Sequence, residues 1–152
     1  MHISWNFLDK RKAAVEAVEG FHIMDFIIKH ADDDIEFVRS RMGGASSPKL
    51  DGLPHIHNPQ SRENRLLAGI DEIDMLKERY RKAVEYMDWF KPAWEQLSAD
   101  EQFVLETFLM DKSEYHDAAS VVSEHFGIEK SSAYKKKERA IGKITMLLYG
   151  KI

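Results

Sequence analysis

The sequence contains no cysteine, only four prolines and eight glycines in 152 residues, and no long apolar run. Without Cys there are no disulfides, no thiolate zinc sites and no Cys nucleophile, and the composition is compatible with a reducing cytoplasm. No run approaches the ~18 apolar residues that span a bilayer, so no membrane partner is expected. The N-terminus, Met1-His2-Ile3-Ser4-Trp5-Asn6, lacks the charged segment and apolar core of a signal peptide. No segment alternates apolar and polar residues as a strand does, and no internal repeat is evident. A Gly-rich phosphate loop, a Ser nucleophile elbow and a His-Glu-x-x-His pattern are all missing, so neither an enzyme nor a cofactor is expected.

What is present suits a charged helical protein: 43% apolar residues and 32% charged. Twenty-two basic residues against 26 acidic give a formal charge of −4. That balance argues against a uniformly basic nucleic-acid coat and leaves room for a local basic face.

Gly and Pro punctuate the chain unevenly. Gly43, Gly44, Pro48, Gly52, Pro54 and Pro59 mark the stretch Gly43–Gln60 as a linker or irregular loop. Before it, Ala14, Ala17, Phe21, Met24, Ile28, Ala31, Ile35, Val38 and Met42 recur in steps of three and four, one apolar helix face. Asp32-Asp33-Asp34 interrupts this stripe and suits a helix cap and solvated turn better than a cation site, which predicts helices over 8–30 and 33–42. After the linker, Asn58-Pro59 reads as an N-cap followed by a first-turn proline. A near-heptad stripe from Leu66 to Leu97 then predicts a long helix packed against the N-terminal helices or pairing two copies. Pro92 is expected to kink or end it near Lys91. Glu63, Asp71, Glu72 and Asp74 read as its solvated face, and Trp89, Phe90 and Trp94 as core rather than as base-stacking platforms. His55-Ile56-His57 resembles a chelate but sits in the Pro-rich loop without further ligands, so no metal site is assigned. The chain thus divides into N-terminal helices (1–42), a linker (43–58), a long amphipathic helix (59–95) and a C-terminal module (97–150).

The C-terminal module carries the functional signal. Ser98-Ala99-Asp100-Glu101 is a capping box, with Phe103, Val104, Phe108 and Leu109 to be buried behind it. A polar turn over 111–116 leads to a short helix near 116–126, the turn residue Gly127, the apolar plug Ile128 and a last helix from Lys130 to Tyr149. This is the outline of a helix-turn-helix. Ala118, Ala119, Val122 and Phe126, then Ala133, Ala140, Ile144, Leu147 and Leu148, supply its core side. Charge is segregated: residues 128–152 carry seven basic and two acidic residues (+5), whereas residues 95–127 carry one basic and eight acidic (−7). Acidic residues such as Glu114, Asp117 and Glu124 would then limit non-specific DNA binding.

The segments Val122-Ser123-Glu124-His125-Phe126-Gly127-Ile128, Lys130-Ser131-Ser132-Ala133-Tyr134 and Arg139-Ala140-Ile141, with Ile144, resemble the promoter-reading region 4 of bacterial sigma factors. With the Ser47-Pro48 linker, Asn58-Pro59, the long helix and the Trp94…Leu97-Ser98 junction, the chain is similar to phage-encoded ArpU/RinA-like transcriptional regulators. The resemblance covers residues 60–150 best. It implies an all-α protein in the cytoplasm of a bacterial host that binds double-stranded promoter DNA and contacts RNA polymerase. It places Lys130, Ser131 and Lys135 at base edges, and Ser132, Tyr134 and Lys137 near the backbone, with Arg139 in the same footprint. Lys136 stands where region 4 is usually apolar, Ser123 where it is usually small and apolar, and Glu129 is a poor neighbour for phosphate. Two rival readings share the helical outline: a phage small terminase subunit, and a helical interaction protein that does not bind DNA.

Overall fold

A computed structural model describes residues 9–43, 59–111, 113 and 117–150. They form an all-α fold: α1 (Lys10–Glu19), α2 (Phe21–Gly43), α3 (Pro59–Glu95), α4 (Ala99–Leu105), a π-helical turn (Glu106–Met110), α5 (Ala118–Phe126) and α6 (Lys130–Tyr149). Among the described residues there is no strand. The expected N-cap Asn58, the Ser47-Pro48 segment and His55-Ile56-His57 lie outside the described residues.

The N-terminal helices divide elsewhere than expected. The interruption falls at Gly20, not at the aspartate triplet: α1 ends at Glu19 and α2 starts at Phe21. Asp9 opens α1 by accepting a hydrogen bond from the Lys12 N–H at 3.1 Å. Gly20 is the weakest helix former in the stretch, by about 1 kcal/mol relative to Ala. Asp32, Asp33 and Asp34 are exposed inside α2 and cap nothing. The apolar stripe of Ile27, Ala31 and Val38 runs past them on the other face, so the helix continues and the carboxylates stay in water.

Helix α3 opens with Pro59, a position where the missing N–H would have no intrahelical partner. It also outlasts Pro92, against expectation, and ends one turn later at Glu95. Proline so close to the end forfeits one backbone bond, while the last turn is held by burial of Phe90, Ala93 and Leu97. The Gln102 side-chain amide donates to the Trp94 carbonyl at 2.8 Å, alongside the Leu97 N–H at 3.1 Å, and so ties the end of α3 to α4.

The chain forms two compact units. The first spans Phe26–Val84. In it Met42 fills the space over Gly69, where a Cβ would lie 2.4 Å from the Met42 side chain, and Arg41 pairs with Glu72 at 2.7 Å. The second combines α1, the residues of α2 up to Asp25, α3 from Glu85 onward, and α4 to α6. Its core includes Val18, Phe90, Leu105, Val122 and Ile144, all essentially inaccessible to water. Each such side chain contributes about 1.5–3 kcal/mol by burial. Phe90 stacks on Tyr86 and Trp94, and Phe21 packs on Phe90 and Trp94, so the aromatic run is core as expected. Trp89 is the exception: it is partly exposed, with its ring edge against Tyr149. The Tyr86 hydroxyl donates to the Ala17 carbonyl, and burial raises its pKa above the usual tyrosine range.

Candidate nucleic-acid interface

The α4 capping box is complete: Ser98 Oγ accepts from the Glu101 N–H at 3.2 Å, and Glu101 Oε2 accepts from the Ser98 N–H at 2.8 Å. The same carboxylate accepts from Lys143 Nζ of α6 at 2.9 Å, which ties α4 to α6. Burial works against ionisation of Glu101, but the Lys143 hydrogen bond and the Ser98 N–H outweigh it and lower its pKa. Val104, Leu105, Thr107, Leu109 and Met110 are buried, while Phe103 and Phe108, expected in the core, are half-buried at its rim.

Helix α5 is capped by Asp117, whose carboxylate accepts from the N–H and the hydroxyl of Ser120. It ends at Gly127 in the left-handed conformation, with φ 63° and ψ 41°. The Gly127 and Ile128 N–H groups both reach the Ser123 carbonyl, and the Ser123 hydroxyl donates to the Ile128 carbonyl. Ser123 therefore closes the turn chemically where a small apolar residue would only fill space. Ile128 packs against the core, and α6 starts at Lys130 as expected. Glu129 stands at the N-cap without a side-chain hydrogen bond, which leaves the first N–H groups of α6 without a local cap.

The buried face of α6 is Ala133, Ala140, Ile141, Ile144, Thr145 and Leu148. Leu147 was expected there but is partly exposed; Thr145 takes an inner position, its hydroxyl donating to the Ile141 carbonyl at 2.6 Å. Ser131, Lys135 and Arg139 are exposed and spaced by four, so they lie along one stripe of the helix. Tyr134 is exposed beside them with its ring against Phe108, and Ser132 is half-buried.

The three consecutive lysines part company. Lys135 is exposed, whereas Lys136 turns back so that its ammonium sits 4.6 Å from the Phe126 ring centre. Lys137 similarly lies 5.2 Å from the ring centre of Phe108. These are cation–π contacts, with the alkyl stems covering apolar surface. Lys136 thereby acts as a packing residue against Phe126. Lys130 pairs with Asp117 at 2.9 Å. The Ser120 hydroxyl and then Lys130 hold the Asp117 carboxyl well below its ordinary range, and Asp117 in turn raises the Lys130 pKa.

Glu138 borders the exposed stripe and is paired with Arg11 of α1, while Glu129 stands exposed at the N-cap just before it. Sequence reasoning missed this role of Arg11 and the ring seats at Phe108 and Phe126. The basic triplet Lys10-Arg11-Lys12 was visible, but nothing local announces which helix it packs beside. Among the described residues no group of three potential metal ligands occurs, and no helix is long and apolar enough to cross a membrane. No family model, curated protein or solved structure matches the chain.

Proposed function

We propose that this chain is a sequence-specific DNA-binding transcriptional regulator of phage or prophage type, with a sigma region-4-like helix-turn-helix. The observation that carries the reading is the exposed stripe Ser131–Lys135–Arg139 at the start of a helix that follows a left-handed glycine turn, with the adjoining Glu138 paired to Arg11. An α-helix fits the major groove of B-DNA, and the N-terminal half of such a helix meets base edges. Ser131 and Lys135 offer donors to those edges, and Arg139 reaches the flanking phosphates. Lys130 joins them when a phosphate replaces Asp117 as its partner. Lys136 and Lys137 serve mainly as packing residues.

The reading extends to a contact with RNA polymerase, on the resemblance alone, and to pairing of two copies through α3. Leu67, Ile70 and Met75 are exposed on that helix and support the pairing. Two copies would read half-sites separated by about one helical turn. The same exposed residues favour a second reading, a ring-forming small terminase subunit. Mass measurement in solution separates them: a monomer or dimer fits the regulator, a ring of many subunits the terminase. The experiment on DNA binding itself is fluorescence anisotropy with a labelled duplex over a salt series. The regulator requires an affinity that falls steeply as salt rises; a salt-insensitive or absent affinity leaves only an interaction protein.

A further inference from the structure

We propose that the basic first turn of α1 is a second DNA contact, which grips the phosphate backbone at the edge of the groove that α6 enters. The inference rests on the DNA-binding reading above and adds an element outside the helix-turn-helix. Contacts at both ends of α1 set its direction. Near its start Arg11 pairs with Glu138; towards its end the Ala17 carbonyl accepts from the Tyr86 hydroxyl, the Tyr86 ring meets Trp89, and Trp89 meets Tyr149 at the end of α6. Residue numbers rise together along α1 and α6, so the two helices run parallel. The N-terminal turn of α1 therefore points the same way as the N-terminal half of α6.

Position around α6 gives α1 its role. Lys136 of α6 faces α5 through Phe126, and Glu138 faces α1 through Arg11. Two residues correspond to about 200° around a helix, so α5 and α1 flank α6 on opposite sides. A helix with side chains is roughly 10–12 Å across, close to the roughly 12 Å width of the major groove. Once α6 fills the groove, a helix packed at its side cannot enter and lies over a strand. That strand presents phosphates, which only positive charge and N–H groups recognise.

The chemistry of α1 matches. Its first turn is Lys10, Arg11 and Lys12, and its acids, Glu16 and Glu19, stand at the far end. Asp9, the acid adjoining the triplet, is used as the N-cap. Arg11 serves both purposes: it cancels Glu138 beside Arg139 and brings the triplet within about one turn of Lys135.

The test is a salt series on duplex DNA with the full chain carrying Lys10→Ala and Lys12→Ala together, Arg11 being kept so that Glu138 stays paired. Lys12 is exposed, so Lys12→Ala alone carries the test if the double variant is less stable. Losing two phosphate contacts should flatten the log–log salt slope by about 1.8, and one by about 0.9, with little change in which sequences are preferred. Lys135→Ala with Arg139→Ala serves as the reference. An unchanged slope in the α1 variants with a flattened one in the α6 variant overturns the second contact and leaves the recognition helix standing. A wild-type protein without salt-sensitive affinity for duplex DNA overturns both.

Discussion

Replacing Lys136 with alanine should lower stability and leave the salt dependence of DNA binding unchanged, whereas replacing Lys135 should do the reverse. The two residues are neighbours of identical type, so composition cannot distinguish them; their surroundings do. The Lys136 ammonium lies 4.6 Å from the Phe126 ring centre, and its stem covers the apolar junction of α5 and α6. A partly exposed cation–π contact contributes about 0.5–1 kcal/mol, and the covered methylenes bring the total to about 1 kcal/mol. For a chain of this size that is a loss of roughly 2–4 °C in Tm. Lys135 has no such seat and stands on the exposed stripe. Its removal should flatten the log–log salt slope by about 0.9. Circular-dichroism melting gives the first number, and anisotropy over roughly 50–200 mM salt the second. Lys136→Met, which keeps the stem and discards the charge, should recover most of the stability with an unchanged slope. From sequence alone, replacing Lys135, Lys136 and Lys137 together should flatten the slope by about 2–3 units; the ring seats reduce that expectation to about one. A slope change in Lys136→Ala as large as in Lys135→Ala would refute the assignment of Lys136 to packing.

Three further outcomes follow from the same contacts. Asp117→Asn keeps a competent N-cap and removes the carboxylate that holds Lys130, so affinity for random-sequence duplex should rise, as measured by anisotropy. The Asp117 carboxyl should titrate below its ordinary 3.8 in an NMR pH series, and Lys130→Ala should move it back up. Because its folded pKa is depressed, its stabilising contribution is present above pH 3.8 and lost as the pH falls through the folded value. Gly127→Ala should cost about 1–2 kcal/mol in a denaturant titration, from the left-handed backbone alone, since nothing lies within 4 Å of the added Cβ; Gly127→Asn should cost less.

The features legible in the sequence were those set by local chemistry. The Ser98–Glu101 box, Gly127 and the span of α6 depend on residues within a few positions of each other. The break at Gly20 was misplaced because three aspartates resemble a cap, yet an exposed helix face accommodates them without interruption. The end of α3 was misplaced because the packing of Phe90 and Leu97 and the bond from Gln102 offset what Pro92 removes. Features built from distant residues left no local trace. The ring seats under Lys136 and Lys137 come from Phe126 and Phe108, and the partner of Glu138 comes from 127 residues away. Hence the stripe Ser131–Lys135–Arg139 could be read as a candidate site, while the division of labour among its lysines and the placement of α1 could not.

The central claim is sequence-specific recognition of duplex DNA by α6, and selection from a library of fragments of the source genome tests it most directly. The full chain should enrich fragments that share a short motif and bind them at least about a thousandfold more tightly than random duplex. The Lys135→Ala/Arg139→Ala variant should lose that enrichment while remaining folded. Recovery of fragments with no shared motif, or the same enrichment by the variant, would contradict it.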